Sequence, residues 1–576
     1  MERSNFALDD TEVKQLFQQG EANLLLIKLI IKKNRIMTEV SNLQALRSII
    51  GNSGDTVYAK GHTSAGDGGG GIFIWRTGIA FTGTGTYNLD NNGTIVKANS
   101  NDTGWWIRQY EDQINVLFFG AFGVTGDYTS AIQNAINFAA LNTLTDTELK
   151  GSTIFIPNGS YKINTLLLKS GISIVGESIQ KTIIYSTDTH TVDYMFKIDL
   201  GPVFLNISKL NIVGRDTNAG CFLFKAQGLT TSPYHGGLWN SRISDIKISG
   251  FKGNGIYLYG GGTNSNYLLP NQFNIFENVR VNKNSDFSRA LFMTGQNGQI
   301  SFLNCTFDGF YKDSTYSKGQ NIKITNDGKF TSAVVSFINC TCQQADYGFN
   351  IGWAENITID NCWFENLGVA ITVKSNLTDP NNEVLCKSIN ILNNRFANAS
   401  GFGSLNAPNN IKAGQCISVS KSFVNVFNNY VTVSDPEGAY FNNNSSFLLA
   451  SNNISGGVNI SDNNYRENKL GKTFGILQVI SVAANTIDCF GNKLVFVNSS
   501  TSIIKTIKSI INAGEQLTVR ANGTSITFDN TDNVFLTKKT SLTIYNGEIV
   551  TFIKIDNTVG SNYETYQLVS IVRAST

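Results

Sequence analysis

From about residue 200 to residue 432 the chain repeats one short phrase of apolar and polar positions. It reads FENVRV at 276–281, FLNCTF at 302–307, FINCTC at 337–342, IDNCWF at 359–364, ILNNRF at 391–396 and VFNNYV at 426–431, with weaker copies at 207–212 and 243–248. The common form is apolar, any, Asn, small or apolar, any, apolar. Successive copies start 22 to 36 residues apart, the spacing of stacked supersecondary units. The units are too rich in β-branched and aromatic residues, Asn and Gly for helical hairpins. They predict a solenoid of short strands whose coils bury their inner residues against the coils above and below.

Other patterns flank the repeat. Residues 39–50 place apolar positions at helical spacing, and a Gly-rich β region follows at 55–78, 90–98 and 103–110. The GDGGGG run in it lacks the Lys-Ser/Thr ending of a phosphate loop and leads into a strand, so it reads as a tight turn with close backbone approach. Residues 126–141 predict a helix, capped by Asp127 or Thr129, with Ile132, Ala135, Ile136 and Ala139 as its apolar stripe. Such a helix closes the open end of a solenoid. Strand, turn, strand follows at 151–163, with Asn158-Gly159 as the turn, and again at 166–176. After 471 the phrase stops and longer alternating strands predict a β-sandwich, for capping, trimer assembly or glycan binding.

Composition narrows the function classes. The net charge is +2 and no basic stretch interleaves with aromatics, which argues against a nucleic-acid partner. Abundant Gly (54) and scarce Pro (7) suit tight turns between short strands. Cys305, Cys340 and Cys362 share one repeat position, so the eight cysteines read as free, buried thiols of a protein made in a reducing cytosol rather than as a disulfide framework or a metal site. Residues 24–31 are apolar but short and interrupted by Lys28, so neither a membrane span nor a signal peptide is expected. Residues 1–38 form a segment apart, which is either an attachment segment or sequence upstream of a start at Met37.

The stretch NVLFFGAFGVTGDYTSAIQNAI, then TIFIPNGSYKI, then GISIVGES resembles the opening of the pectate-lyase-like single-stranded right-handed β-helix family. The preceding GDGGGGIFIW, DNNGTIV and WWIRQY resemble the small domain ahead of the helix in phage tailspike depolymerases. The resemblance implies an all-β chain with a small N-terminal domain at 39–112, a right-handed parallel β-helix at 113–470 and a C-terminal domain at 471–576. It implies a homotrimeric virion protein, made in the host cytoplasm, joined to the tail or baseplate through its N-terminus and acting on a bacterial capsular polysaccharide at the cell surface. The paired Asp and Gly-His-Gly of polygalacturonases and the Arg and Asp calcium constellation of pectate lyases are not found, so no catalytic residue carries over and no metal or cofactor is expected.

Strand alternation then maps the surface. In IDNCWFEN, Asn361 occupies the bend, Cys362 and Phe364 point inward, and Trp363 and Glu365 point outward. Aligning the other coils gives two outward columns: Arg280, Thr306, Thr341, Trp363, Arg395, Tyr430; and Asn282, Asp308, Gln343, Glu365, Ala397, Thr432. Asp308 and Glu365 fall two coils apart, roughly 9–10 Å between backbones at about 4.8 Å per coil. Inverting glycoside hydrolysis uses two carboxyls roughly 6.5–9.5 Å apart. The expected assignment is Glu365 as general acid, its pKa raised by Trp363 and neighbouring carboxylates, with Asp308 or Asp346 activating water and Glu355 as a further candidate. Trp363 and Trp353 would stack on sugar rings, Arg280 and Arg395 would hold acidic substituents, and Tyr347 and Gln343 would complete the subsites. The bland alternatives are carboxylates that keep a solenoid soluble, Trp363 as plain packing, and arginines paired with neighbouring acids. A lyase using Tyr347 with Arg395, or a tail fibre that only binds, are the competing functions. The histidines His62, His190 and His235 are scattered and read as structural.

Overall fold

The computed structural model describes residues 37–77, 90–99, 104–124, 126–141, 152–188, 193–198, 204–216, 220–225, 237–261, 270–312, 315–326, 330–374, 386–397, 415–420 and 422–432, and beyond these mainly strand segments between 446 and 573. Residues 1–36, His190, His235 and the eighth cysteine, Cys489, lie outside the described residues. Two compact units are present, one built on residues up to 112 with 117–122, the other on 113–116 and 123 onward.

In the first unit, five short strands form one sheet in the spatial order Thr38–Val40, Thr56–Ala59, Gly71–Thr77, Gly104–Arg108, Ile95–Lys97. The helix expected over 39–50 is shorter. Val40 is drawn into the sheet beside Ala59, and the helix runs only over Leu43–Arg47, where Asn42 caps it by accepting from the Ala45 N–H. Leu43, Leu46, Phe73, Trp75 and Trp106 fill the core. Arg108 is 2% exposed between the rings of Phe73 and Phe118, and its guanidinium donates to the carbonyls of Gly69, Gly70 and Gly93. A Cβ on Gly71 would lie 2.5 Å from that guanidinium, so the glycine run serves close backbone approach. His62 is structural, its Nε2 2.9 Å from the Asn92 carbonyl oxygen, with burial pushing its pKa down.

The second unit is a single-stranded right-handed parallel β-helix with three sheets. The coil that starts at Ala354 contributes Ala354–Asp360 to the first sheet, Trp363–Glu365 to the second and Leu367–Lys374 to the third, and each segment pairs in parallel with its equivalents in the coils on either side. The Asn of each phrase makes the bend between first and second sheets. Asn278, Asn304, Asn339, Asn361, Asn393 and Asn428 all adopt φ of 51° to 55°, the left-handed region that Asn tolerates and β-branched residues do not. Their side chains bond along the stack, Asn361 Nδ2 to Asn339 Oδ1 (2.6 Å) and Asn428 Nδ2 to Asn393 Oδ1 (2.7 Å).

Inside the helix, equivalent side chains pile up. Phe276, Phe302 and Phe337 stack at 4.8 and 4.7 Å between ring centroids. Cys305, Cys340 and Cys362 line the bend as free buried thiols, as do the four other described cysteines elsewhere in the helix. In the next two coils the same inner position becomes Asn394 and Asn429, 1% and 0% exposed. Asn429 Oδ1 accepts from Asn394 N (2.9 Å), Asn394 Oδ1 from Cys362 N (2.8 Å), and each Nδ2 donates to a core carbonyl. A fully bonded amide ladder is an acceptable core element where a half-bonded one is not.

The helix over Thr129–Leu141 packs on the first coils with Ile132, Ala135, Ile136 and Ala139 buried, and Asp127 caps it by accepting from the Thr129 N–H. The Asn158-Gly159 turn joins strands of different sheets rather than a hairpin: Ser152–Ile156 pairs with Ile172–Gly176, and Gly159–Ile163 with Thr182–Ser186. Parallel stacking of the third sheet continues past 471, through Ile476–Ile480 and Leu494–Val497 to Gln516–Ala521. There Ile549–Ile555 and Thr565–Val572 add antiparallel, and a second sheet containing Ser525–Asp529 and Ser541–Tyr545 shares the core of Val519, Phe528, Ile544, Phe552 and Tyr566.

Candidate active site on the second sheet

The rungs of the second sheet carry the two outward columns in register. Arg280 pairs with Thr306, Thr306 with Thr341, Thr341 with Trp363, Trp363 with Arg395 and Arg395 with Tyr430. Asn282 pairs with Asp308, Asp308 with Gln343, Gln343 with Glu365 and Glu365 with Ala397. Asp308 and Glu365 therefore stand on one sheet, two coils apart, with one glutamine rung between them.

Their environments differ. Asp308 is 8% exposed, and just after it the chain leaves the coil into a short antiparallel hairpin, Tyr311–Lys312 against Thr315 and Tyr316. Its Oδ2 is 3.5 Å from Asn282 Nδ2, and its Oδ1 is buried with no hydrogen-bond partner. Burial pushes its pKa up from 3.8 to about 6, opposed by a hydrogen bond from Gln343 and reinforced by the charge of Glu365. Glu365 is half-buried and accepts a hydrogen bond from Trp363 Nε1–H (3.1 Å). A raised carboxyl therefore stands at Asp308, which the sequence argument had offered as the residue that activates water.

Beside the carboxyls runs a ridge of stacked side chains. The Arg395 guanidinium lies 4.6 Å from the Trp363 ring centroid and 5.7 Å from that of Tyr430. Tyr430 was on the mapped column but not singled out. Its partner Arg395, one rung away, was the available signal. Arg280 is exposed at the other end of the same column.

The remaining candidates sit elsewhere. Asp346 is 4% exposed at the corner between second and third sheets, where one oxygen accepts from Gly319 N (3.0 Å). Near it is Lys283, 2% exposed, whose pKa burial pushes down to about 8. Tyr347 belongs to the third sheet, paired with Gln320 and Val369, and burial raises its pKa. Trp353 is in the bend leading into the first sheet, and Glu355 is on that sheet, 3.6 Å from Lys387. The structure gathers Asp308, Gln343, Glu365, Trp363 and Arg395; it does not bring Tyr347, Trp353 or Glu355 to them. Each of these three follows or precedes a bend, which turns the chain onto another sheet. Among the described residues no cluster of three His, Cys, Asp or Glu side chains is spaced to hold a metal ion.

Comparison with known proteins agrees with this organisation. Residues 39–111 match the phage tail protein small four-stranded beta-sheet domain, and residues 113–199 match the family described as rhamnogalacturonase A/epimerase, pectate lyase-like. No curated protein matches the chain. The gp42 tailspike of Acinetobacter phage vb_AbaP_AS12 is 12% identical over 94% of each chain, with a TM-score of 0.52. The enzymatically active domain of tailspike protein 2 from bacteriophage CBA120 is 16% identical, covering 81% of this chain and 60% of that one, with a TM-score of 0.47. The chain thus spans about three fifths of that domain's length. The A-module of the Azotobacter vinelandii mannuronan C-5 epimerase AlgE4 is 15% identical over 64% of this chain and 98% of that one, with a TM-score of 0.42. A phage-tail domain followed by a pectate-lyase-like helix is the order that the tailspike resemblance implied, and the fold is shared with a phage tailspike over nearly the whole length.

Proposed function

We propose that the chain is a phage tailspike that binds a bacterial surface polysaccharide and cuts it within the chain by hydrolysis on the second sheet. The observation that carries the reading is the pairing of a buried, raised carboxyl, Asp308, with a second carboxylate, Glu365, two rungs along the same column. Two carboxyls in unlike environments divide into acid and base. Asp308 is the general acid: it gives its proton to the glycosidic oxygen as the bond to the anomeric carbon breaks. Glu365 is the base: it takes a proton from the water that attacks the opposite face of that carbon. The products are a new reducing end with inverted configuration and a free hydroxyl on the leaving sugar, and the enzyme recovers when a proton passes back to Asp308. These roles exchange those expected from the sequence, where Glu365 beside Trp363 was the acid and Asp308 or Asp346 activated water. The Trp363, Arg395 and Tyr430 ridge supplies stacking surface for the sugar rings and a cation for acidic substituents.

Purified protein spotted on encapsulated cells tests the reading. Wild type clears a halo, and Asp308→Asn and Glu365→Gln each lose at least about a hundredfold in rate while still binding capsule. Full activity in both variants removes the second sheet as the site. Adhesion without shortening of the glycan makes the protein a binding fibre. An unsaturated product absorbing in the ultraviolet makes it a lyase.

A further inference from the structure

The third sheet carries a second feature that the hydrolytic site does not use. On successive coils its outward rungs present Lys225, then Tyr257 and Tyr259, then Arg289 and Phe292, then Lys323. The Tyr257 and Phe292 rings stack at 4.7 Å with 23° between planes, and Tyr259 meets Tyr257 edge-on at 6.0 Å. The Lys225 ammonium lies 4.5 Å from the Tyr259 centroid, the Arg289 guanidinium 4.7 Å and the Lys323 ammonium 5.9 Å from that of Phe292. Four coils at about 4.8 Å make a strip roughly 14 Å long.

Three cations lie against these stacked rings, and among the described residues none of them has a carboxylate at salt-bridge distance. Lys197, one coil further down the column that carries Tyr257 and Phe292, is by contrast paired with Asp193 at 2.9 Å. The Arg289 Nε is buried and unpartnered. Massing cations without anions raises the energy of the free protein. Burial and the charge of Arg289 together push the Lys323 ammonium below its ordinary value. A ligand bringing negative charge would neutralise the massed cations.

We propose that this strip is a separate binding site for an acidic polysaccharide, whose carboxylates would pair with Lys225, Arg289 and Lys323, the cations held in place against the stacked rings of Tyr257, Tyr259 and Phe292. The proposal rests on reading the chain as a glycan-binding protein, but not on where it cuts. Single-stranded nucleic acid has similar chemistry, and the balanced charge of the whole chain (+2) favours the glycan.

The test is affinity electrophoresis of the full chain through gels holding polygalacturonate or its carboxyl-reduced, neutral counterpart, with Glu365→Gln as the background so that nothing is cut. Retardation by the acidic polymer alone is expected. Lys225→Gln with Lys323→Gln should weaken it about tenfold, and Lys225→Arg with Lys323→Arg should restore it. Asp308→Asn should bind undiminished, which separates failure here from failure of the hydrolytic reading. Equal retardation of the Gln double variant, no preference for the acidic polymer, or tighter binding to single-stranded DNA overturns the proposal.

Discussion

Replacing Asp308 with Asn should stabilise the fold while abolishing activity, and the size of the gain follows from burial. The carboxyl is 8% exposed, and its pKa rises from 3.8 to about 6 on folding. The native chain therefore holds this proton more tightly than the unfolded chain. The free energy of unfolding falls as pH rises from about 4 to about 6 and stays lower above that window. The rise corresponds to roughly 3 kcal/mol carried at pH 8, and to only about 0.5 kcal/mol at pH 4, where the native carboxyl is still protonated. Asn keeps the shape without the charge, so the variant should gain up to about 3 kcal/mol at pH 8 and almost nothing at pH 4. Denaturant unfolding at the two pH values, with superimposable refolding branches and equal protein concentration, measures it. A variant less stable than wild type at both pH values, or an advantage that does not change with pH, refutes the claim that burial of this carboxyl stores free energy for catalysis.

Further outcomes follow from the same geometry. With Asp308 as the acid, kcat/KM of the wild type should fall as pH rises through about 6, measured by reducing-end release. Trp363→Ala removes one wall of the Arg395 stack and one donor to Glu365, so it should raise KM and lower kcat together, measured by reducing-end release. Asn429→Ala leaves Asn394 N and the Ile391 carbonyl unpaired in the core and should cost about 1–3 kcal/mol in unfolding free energy, with no change in the pH profile.

Register was the most legible property of this chain. The Asn of each phrase needs a left-handed bend, the bend fixes where each strand starts, and a period of two then decides which side chains face out. That chain of reasoning placed Arg280, Trp363, Arg395 and Tyr430 on one column and Asp308 and Glu365 on the next without reference to coordinates. It failed where a residue's surroundings, rather than its rung, decide its chemistry. No local pattern reports the burial of Asp308. It failed again across bends. Tyr347 lies beyond the bend at Gln344 (φ 62°), and Glu355 precedes the bend at Asn361 (φ 52°), so nearness in sequence did not become nearness on a face. The strip on the third sheet was readable by the same counting of rungs, applied one strand later in each coil.

The configuration of the first product tests the central claim most directly. Proton NMR of the newly formed reducing end, recorded before mutarotation, distinguishes the outcomes. Two carboxyls two coils apart, with water between base and sugar, predict inversion at the anomeric carbon. Retention, or an unsaturated sugar at the other end of the cut, would contradict the assignment of Asp308 and Glu365.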